Sequence, residues 1–320
     1  MPDKQRVAIV GGGSIGVGWA VVFALAGVET AIHEPNPDRQ ADVLPDLERR
    51  LRRLAVGGLL GEEPAVVAAR VRLRETVADA LSGATHVQEC APEALELKRT
   101  LFRELDALAL PGTTLASSSS ALAASAFAAE LPGRARCLVA HPGNPPYLLP
   151  VVEIVPAPFT DAAVVERARK LFTQVGMSPV LVQREIEGFV FNRLQGALLR
   201  EAYCLVRDGI ASVDDVDRVV RDGLGRRWAA IGPFETAELN TRGGIEAHAE
   251  KLGAAYARMG AERGQNDPWT PDLVVRVAGE LHRRLPPEQW EERVAWRDDA
   301  LIALERARRE SGLFAEVTAA

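Results

Sequence analysis

VAIVGGGSIGVGWAVVFALAG, residues 7–27, carries the reading on which the fold of the N-terminal half turns. Four apolar residues lead into Gly11-Gly12-Gly13-Ser14-Ile15-Gly16, and a run suited to a helix follows. A GxGxxG set between a strand and a helix is a dinucleotide-binding turn. Gly11 permits the tight bend, Gly13 lets backbone approach a pyrophosphate, and Gly16 allows the helix to close on the strand. The helix start, with Ser14 and Ile15 in its first turn, presents free N–H groups and a positive dipole end to the phosphates. The plainer reading of the same residues is a glycine-rich core turn. The next strand, ETAIHE (29–34), weighs against it because it ends in Glu34, 18 residues after Gly16. A carboxylate there accepts hydrogen bonds from an adenosine ribose and repels a 2′-phosphate. The expected cofactor is therefore NAD rather than NADP, with Arg39 nearby acting in the opposite sense.

The same run, extended to Val28, has no charge over 22 residues and follows Lys4 and Arg6, the outline of a membrane span or signal peptide. Six glycines (Gly11, Gly12, Gly13, Gly16, Gly18 and Gly27) would leave a spanning helix poorly formed. A buried strand–turn–helix in a soluble, cytoplasmic protein is the expectation. The net charge of −6 disfavours nucleic acid and anionic membrane as partners. Cys90, Cys137 and Cys204 lie far apart with no CxxC, which points away from a metal site and from disulfides, and suits a reducing compartment.

With 320 residues the chain is long enough for two domains. Strands are expected at 6–11, 29–34, 85–90, 113–118, 136–141, 151–156 and 178–183, with helices over 15–27, 38–55, 95–109, 121–130 and 161–175. From Gly188 onward the spacing predicts helices only, over 189–208, 213–222, 244–260, 271–284 and 288–310. The fold class is α/β: a Rossmann-type, mostly parallel sheet domain over 1–185, then an all-helical C-terminal domain over 186–320 for substrate and dimerisation.

The chemical end is HPGNPPYLLPVVE, residues 141–153. His141 closes an expected strand and Glu153 lies on the next, so a stiff proline loop is placed to bring them side by side. Oxidation of an alcohol by hydride transfer needs a base for the hydroxyl proton, and a carboxylate beside an imidazole stabilises the imidazolium. A merely solvated loop histidine is the alternative reading. Asn144 is expected to shape the loop by bonding neighbouring backbone.

Several ordered motifs carry a resemblance through nearly the whole length: GGGSIG with its downstream acid, QECAPEALELK (88–98), LASSSSAL (115–122), AHPGNPP (140–146), EGFVFNRLQ (187–195) and GLGRRWAAIGPFET (223–236). The chain resembles the L-3-hydroxyacyl-CoA dehydrogenases, and more closely their branch with lambda-crystallin and L-gulonate 3-dehydrogenase. The resemblance implies His141 as catalytic base, Glu153 as its partner, and Ser120 and Asn192 as contacts to the substrate oxygen. It places Glu93 and Lys98 beside the ribose and nicotinamide of the cofactor, and it implies a homodimer through the helical domain. Each has a duller reading: Ser119 or Ser120 as a helix N-cap, Asn192 as a buried hydrogen-bonded asparagine, Glu93 and Lys98 as helix-end charges.

The substrate is expected to be a small L-3-hydroxy acid such as L-gulonate. Residues 55–69 contain no lysine or arginine for CoA phosphates, and the arginines at 49, 50, 52 and 53 read as a solvated helix face. Arg226, Arg227 and Arg242 are candidate carboxylate clamps, with Arg227 preferred over a plain surface role. Oxidation of an L-3-hydroxyacyl-CoA or of L-carnitine stands as an alternative, and a non-catalytic, crystallin-like NAD-binding protein as a third reading.

Overall fold

The computed structural model describes residues 5–264, 270–283 and 286–311. The expected domain termini at residues 1 and 320, and the last residue of the helix expected over 271–284, lie outside these. The chain divides into two compact units. One holds the chain up to Arg193 and takes in Arg297–Glu310; the other begins at Leu194 and runs to Trp296.

The first unit is an eight-stranded sheet built from β1 (Arg6–Val10), β2 (Glu29–His33), β3 (Val71–Arg74), β4 (His86–Glu89), β5 (Thr114–Ser117), β6 (Cys137–Pro142), β7 (Val151–Pro156) and β8 (Ser178–Leu181). Its order is β3-β2-β1-β4-β5-β6-β7-β8, parallel at every pairing except the antiparallel β6–β7. Helices α1 (Ser14–Leu25), α2 (Pro37–Val56), α3 (Pro64–Ala68), α4 (Val77–Leu81), α5 (Leu95–Leu108), α6 (Ala124–Ala128) and α7 (Ala162–Gln174) connect the strands. The strand order reverses between β1 and β4, and in such sheets the ligand crevice lies beyond the carboxyl ends at that point.

The seven expected strands are present, 151–156 with the expected bounds and the other six with shifted ends. The eighth, β3, escaped the reading because Arg72 and Arg74 break its apolar pattern. It is an edge strand paired only with β2, and charges on an edge deter pairing with another chain.

Burial explains the uncharged run. Every residue of α1 from Gly16 to Ala24 is buried, and Trp19 packs on Phe23 and Phe172 at centroid distances of 5.5 and 5.4 Å. No described helix is long and apolar enough to cross a membrane. Gly18 is required by packing, since a Cβ there would stand 2.8 Å from Pro146 Cδ in the proline loop.

The second unit is helical throughout its described residues. It comprises α8 (Phe191–Arg207, from Leu194), α9 (Val213–Val219), α10 (Gly225–Trp228), α11 (Pro233–Asn240), α12 (Gly244–Ala261), α13 (Pro271–His282) and the start of α14 (Trp290–Ser311). A wider turn over Val220–Leu224 joins α9 to α10, and neither α10 nor α11 was foreseen. The rest of α14 belongs to the first unit, where Ile302 sits against Gly57.

Candidate active site

The glycine turn fits a dinucleotide. Gly11 has φ +109°, and a Cβ on it would lie 2.7 Å from the carbonyl of Cys90 at the end of β4. On Gly16 a Cβ would lie 1.9 Å from Gly11 O, so the helix closes on the turn only with glycine there. Gly13 is open: a Cβ there meets nothing closer than the Arg39 guanidinium, at 3.5 Å. No side chain caps α1 and no acid lies in its first turn, so its N–H groups are left for an anion. Arg50 donates to Ser14 O and Oγ at 3.0 and 3.2 Å, bracing the helix start.

Glu34 does more than the sequence implied. Its Oε2 accepts from Gly12 N at 2.6 Å and its Oε1 from Asn36 N at 2.9 Å, tying β2 to the glycine turn. Gly12 was missed as well, although a Cβ there would meet Val43 and Glu34 at 2.6 and 2.9 Å.

His141 and Glu153 are brought together. Eight residues separate β6 from β7, fewer than a parallel crossover needs, so the chain turns back antiparallel. The register then sets His141 directly opposite Glu153, with Nδ1 2.8 Å from Oε2. Burial pushes the Glu153 pKa up, but hydrogen bonds from His141 and from the N–H groups of Phe191 and Val190 outweigh it, and the net shift is downward. An ionised Glu153 requires the proton on Nδ1, leaving the Nε2 lone pair to accept one. The loop between them is shaped by the Pro145 carbonyl, which accepts from Leu148 N and Leu149 N, after a cis Asn144–Pro145 bond. The Asn144 side chain makes no hydrogen bond among the described residues, so it does not act as expected.

Ser120 and Asn192 are joined, Asn192 Nδ2 donating to Ser120 O at 3.0 Å. The turn-forming role falls to Ser119, whose Oγ accepts from Leu122 N. Glu93 gathers this loop: it accepts from Ser119 Oγ and from the N–H groups of Ala121 and Leu122. Burial raises the Glu93 pKa, and these donors with Lys98 bring it below the ordinary value.

Lys98 is no helix-end charge. It is 1% exposed, with Nζ 2.9 Å from both oxygens of Glu89, which is fully buried and also accepts from Ser117 Oγ and Ala91 N. Glu89 was missed, although an acid at the carboxyl end of a strand beside the switch point was a legible signal. Of the α2 arginines, Arg49 and Arg52 lie on a solvated face, paired with Asp46 and Glu48 of their own helix, while the less exposed Arg50 and Arg53 pair with Asp46 and Asp299. Arg227 lies exposed on α10 and donates to Asn240 Oδ1 at 3.3 Å. Among the described residues no group of acidic, histidine and cysteine side chains has the arrangement to hold a metal ion.

A strand-order reversal, a glycine cradle at it and a buried imidazole–carboxylate pair define a nucleotide-dependent dehydrogenase, and comparison with known proteins specifies the class. Residues 6–186 match the 3-hydroxyacyl-CoA dehydrogenase NAD-binding domain, and residues 188–283 the C-terminal domain of the same family. A bovine lambda-crystallin homolog is 40% identical over 312 residues, 95% of this chain and 96% of that one. A 3-hydroxyacyl-CoA dehydrogenase of Gibberella moniliformis is 36% identical, covering 96% of each. Among solved structures, 5-formyl-3-hydroxy-2-methylpyridine 4-carboxylic acid 5-dehydrogenase, an NAD+-dependent dismutase, superposes with a TM-score of 0.81 at 27% identity, over 94% of this chain and 97% of that one. The chain belongs to the 3-hydroxyacyl-CoA dehydrogenase family, in its lambda-crystallin branch. It is an NAD-dependent oxidoreductase acting on hydroxyl groups.

Proposed function

We propose that the chain oxidises the 3-hydroxyl of a small L-3-hydroxy acid of the L-gulonate type to the 3-keto acid, with His141 as general base. The buried His141–Glu153 pair at 2.8 Å carries this reading. NAD held at the Gly11–Gly16 turn supplies the hydride acceptor. Nε2 of His141 takes the hydroxyl proton, while Glu153 holds the Nδ1 proton and stabilises the imidazolium that forms. The Ser120 hydroxyl and the Asn192 amide orient the substrate oxygen. Glu34 serves the adenosine ribose, and Glu93 and Lys98 belong to the cofactor side, Lys98 acting through Glu89.

Two features support a free acid over a CoA thioester. Residues 55–69 offer no cation, and the α2 arginines that precede them already have carboxylate partners. Arg227 is the carboxylate clamp in this proposal. The fungal 3-hydroxyacyl-CoA dehydrogenase relative keeps the thioester in the test. NADH formation with L-gulonate, 3-hydroxybutyrate, L-carnitine and (S)-3-hydroxybutyryl-CoA is expected to give the highest kcat/KM with a free hydroxy acid. A higher value with the thioester overturns the substrate class. Turnover with none of them favours the non-catalytic, crystallin-like reading.

We also propose a homodimer through the helical unit. Among its described residues only Cys204, Val206, Val213 and Leu273 are buried apolar side chains, a small core for so long a segment. Phe234, Leu239, Val275 and Trp290 are each at least 67% exposed. Apolar surface on that scale marks an interface. Sedimentation at micromolar concentration is expected to show a dimer; a monomer throughout removes this assignment.

A further inference from the structure

Glu153 serves two partners. Its Oε2 faces His141, and its Oε1 accepts from Val190 N at 2.6 Å and Phe191 N at 2.9 Å. These N–H groups lie at the start of α8, where a helix has no carbonyl of its own to satisfy them. What aims them is a pair of consecutive left-handed residues, Gly188 at φ +75° and Phe189 at φ +47°. Phe189 is the one non-glycine residue with positive φ among the described residues. An aromatic side chain is unfavourable there and persists only where its surroundings hold it. Here they do: Phe189 is fully buried, with its ring centroid 5.7 Å from that of His141. Phe191 meets the same imidazole edge-on at 6.2 Å.

We propose that the Gly188–Phe189 turn is a positioning element for the reaction, aiming two backbone N–H groups at Glu153 while the Phe189 ring bears on His141. With Oε1 fixed by two donors, Glu153 loses the freedom to swing about its side-chain torsions, and the imidazole it holds keeps one orientation. With an ordinary backbone at 188 and 189 those N–H groups would point elsewhere, and the carboxylate would be held by His141 alone. The element acts through Glu153, so the inference rests on reading His141 and Glu153 as the catalytic pair.

Gly188 gives the cleanest test. A Cβ there would meet its nearest atoms, Asn192 Cβ and Arg193 Cγ, at 3.5 and 3.6 Å, ordinary contact distances. Replacing it therefore perturbs the backbone preference rather than the packing. Gly188→Ala is expected to lower kcat about tenfold, as small misplacements of a catalytic group do, with the NADH dissociation constant unchanged. Gly188→Asn, which tolerates the left-handed region, is expected to recover most of that loss. Phe189→Leu is expected to share the kcat signature of the alanine variant.

A double-mutant cycle separates this inference from the reading beneath it. In a Glu153→Gln background, Gly188→Ala is expected to cost less than about twofold, because the two act on one element. A full tenfold loss persisting in that background, or a parallel loss of NADH affinity, overturns the positioning role and leaves the base assignment standing. If Glu153→Gln alone leaves kcat unchanged, the base pair itself fails.

Discussion

Replacement of His141 by Gln is expected to lower turnover by about 10²–10⁴-fold, the usual contribution of a positioned general base, while NADH affinity is retained. The amide keeps a hydrogen bond to Glu153 and much of the imidazole's bulk, but it has no basic nitrogen to take the hydroxyl proton. Rapid-reaction turnover and NADH titration together check this; turnover within a few-fold of the parent removes His141 from the chemistry. The partner has a separate signature in acid. The folded-state pKa of Glu153 lies below its ordinary 4.5, so its ionised form stabilises the native state. That contribution is fully present above the ordinary value and is lost as pH falls through the lower folded value. Glu153→Gln is therefore expected to flatten the fall in stability below about pH 4.5, read from urea unfolding across a pH series.

Lys98→Met is expected to destabilise the protein by about 3–5 kcal/mol, because it strands the fully buried Glu89 carboxylate without its counter-charge. At roughly 2–4 °C per kcal/mol for a domain of this size, the thermal midpoint should drop by roughly 6–20 °C. Adding Glu89→Gln to that variant is expected to restore a large part of the loss, since the uncompensated charge is then gone. The melts are done without NADH, so the result reports the brace itself rather than a cofactor contact. An unchanged midpoint in Lys98→Met would show that the pair does not hold the wall of the crevice. It would return Lys98 to a role in cofactor binding alone.

The parts of the fold that were legible rest on short-range physics. The strand, glycines and helix of residues 7–27 are written in local sterics and in apolar spacing, and Glu34 follows at a distance set by one helix and one strand. The loop after His141 is too short for a parallel crossover, so even the reversal at β6 and β7 was available from chain length. What hid β3 was its length and charge: four residues alternating with arginine give too short a run to stand out beside the apolar strands of the sheet interior. Lys98 shows the opposite limit. Its duller reading as a helix-end charge could not be set aside from the sequence, because nothing local announces that Glu89, nine residues earlier, shares its burial.

By itself, then, the sequence determined the order of seven of the eight strands, the need for glycine at Gly11 and Gly16, and the pairing in prospect of His141 with Glu153. Only the tertiary structure decided that Glu89 and Lys98 face each other away from water. It alone revealed that Ser119 takes the turn and leaves Ser120 its hydroxyl, and that Phe189 adopts a left-handed backbone under the imidazole. The division has one physical cause. Steric and periodic preferences act within a few residues, whereas charge burial and strained backbone depend on which distant segments the closed sheet brings into contact.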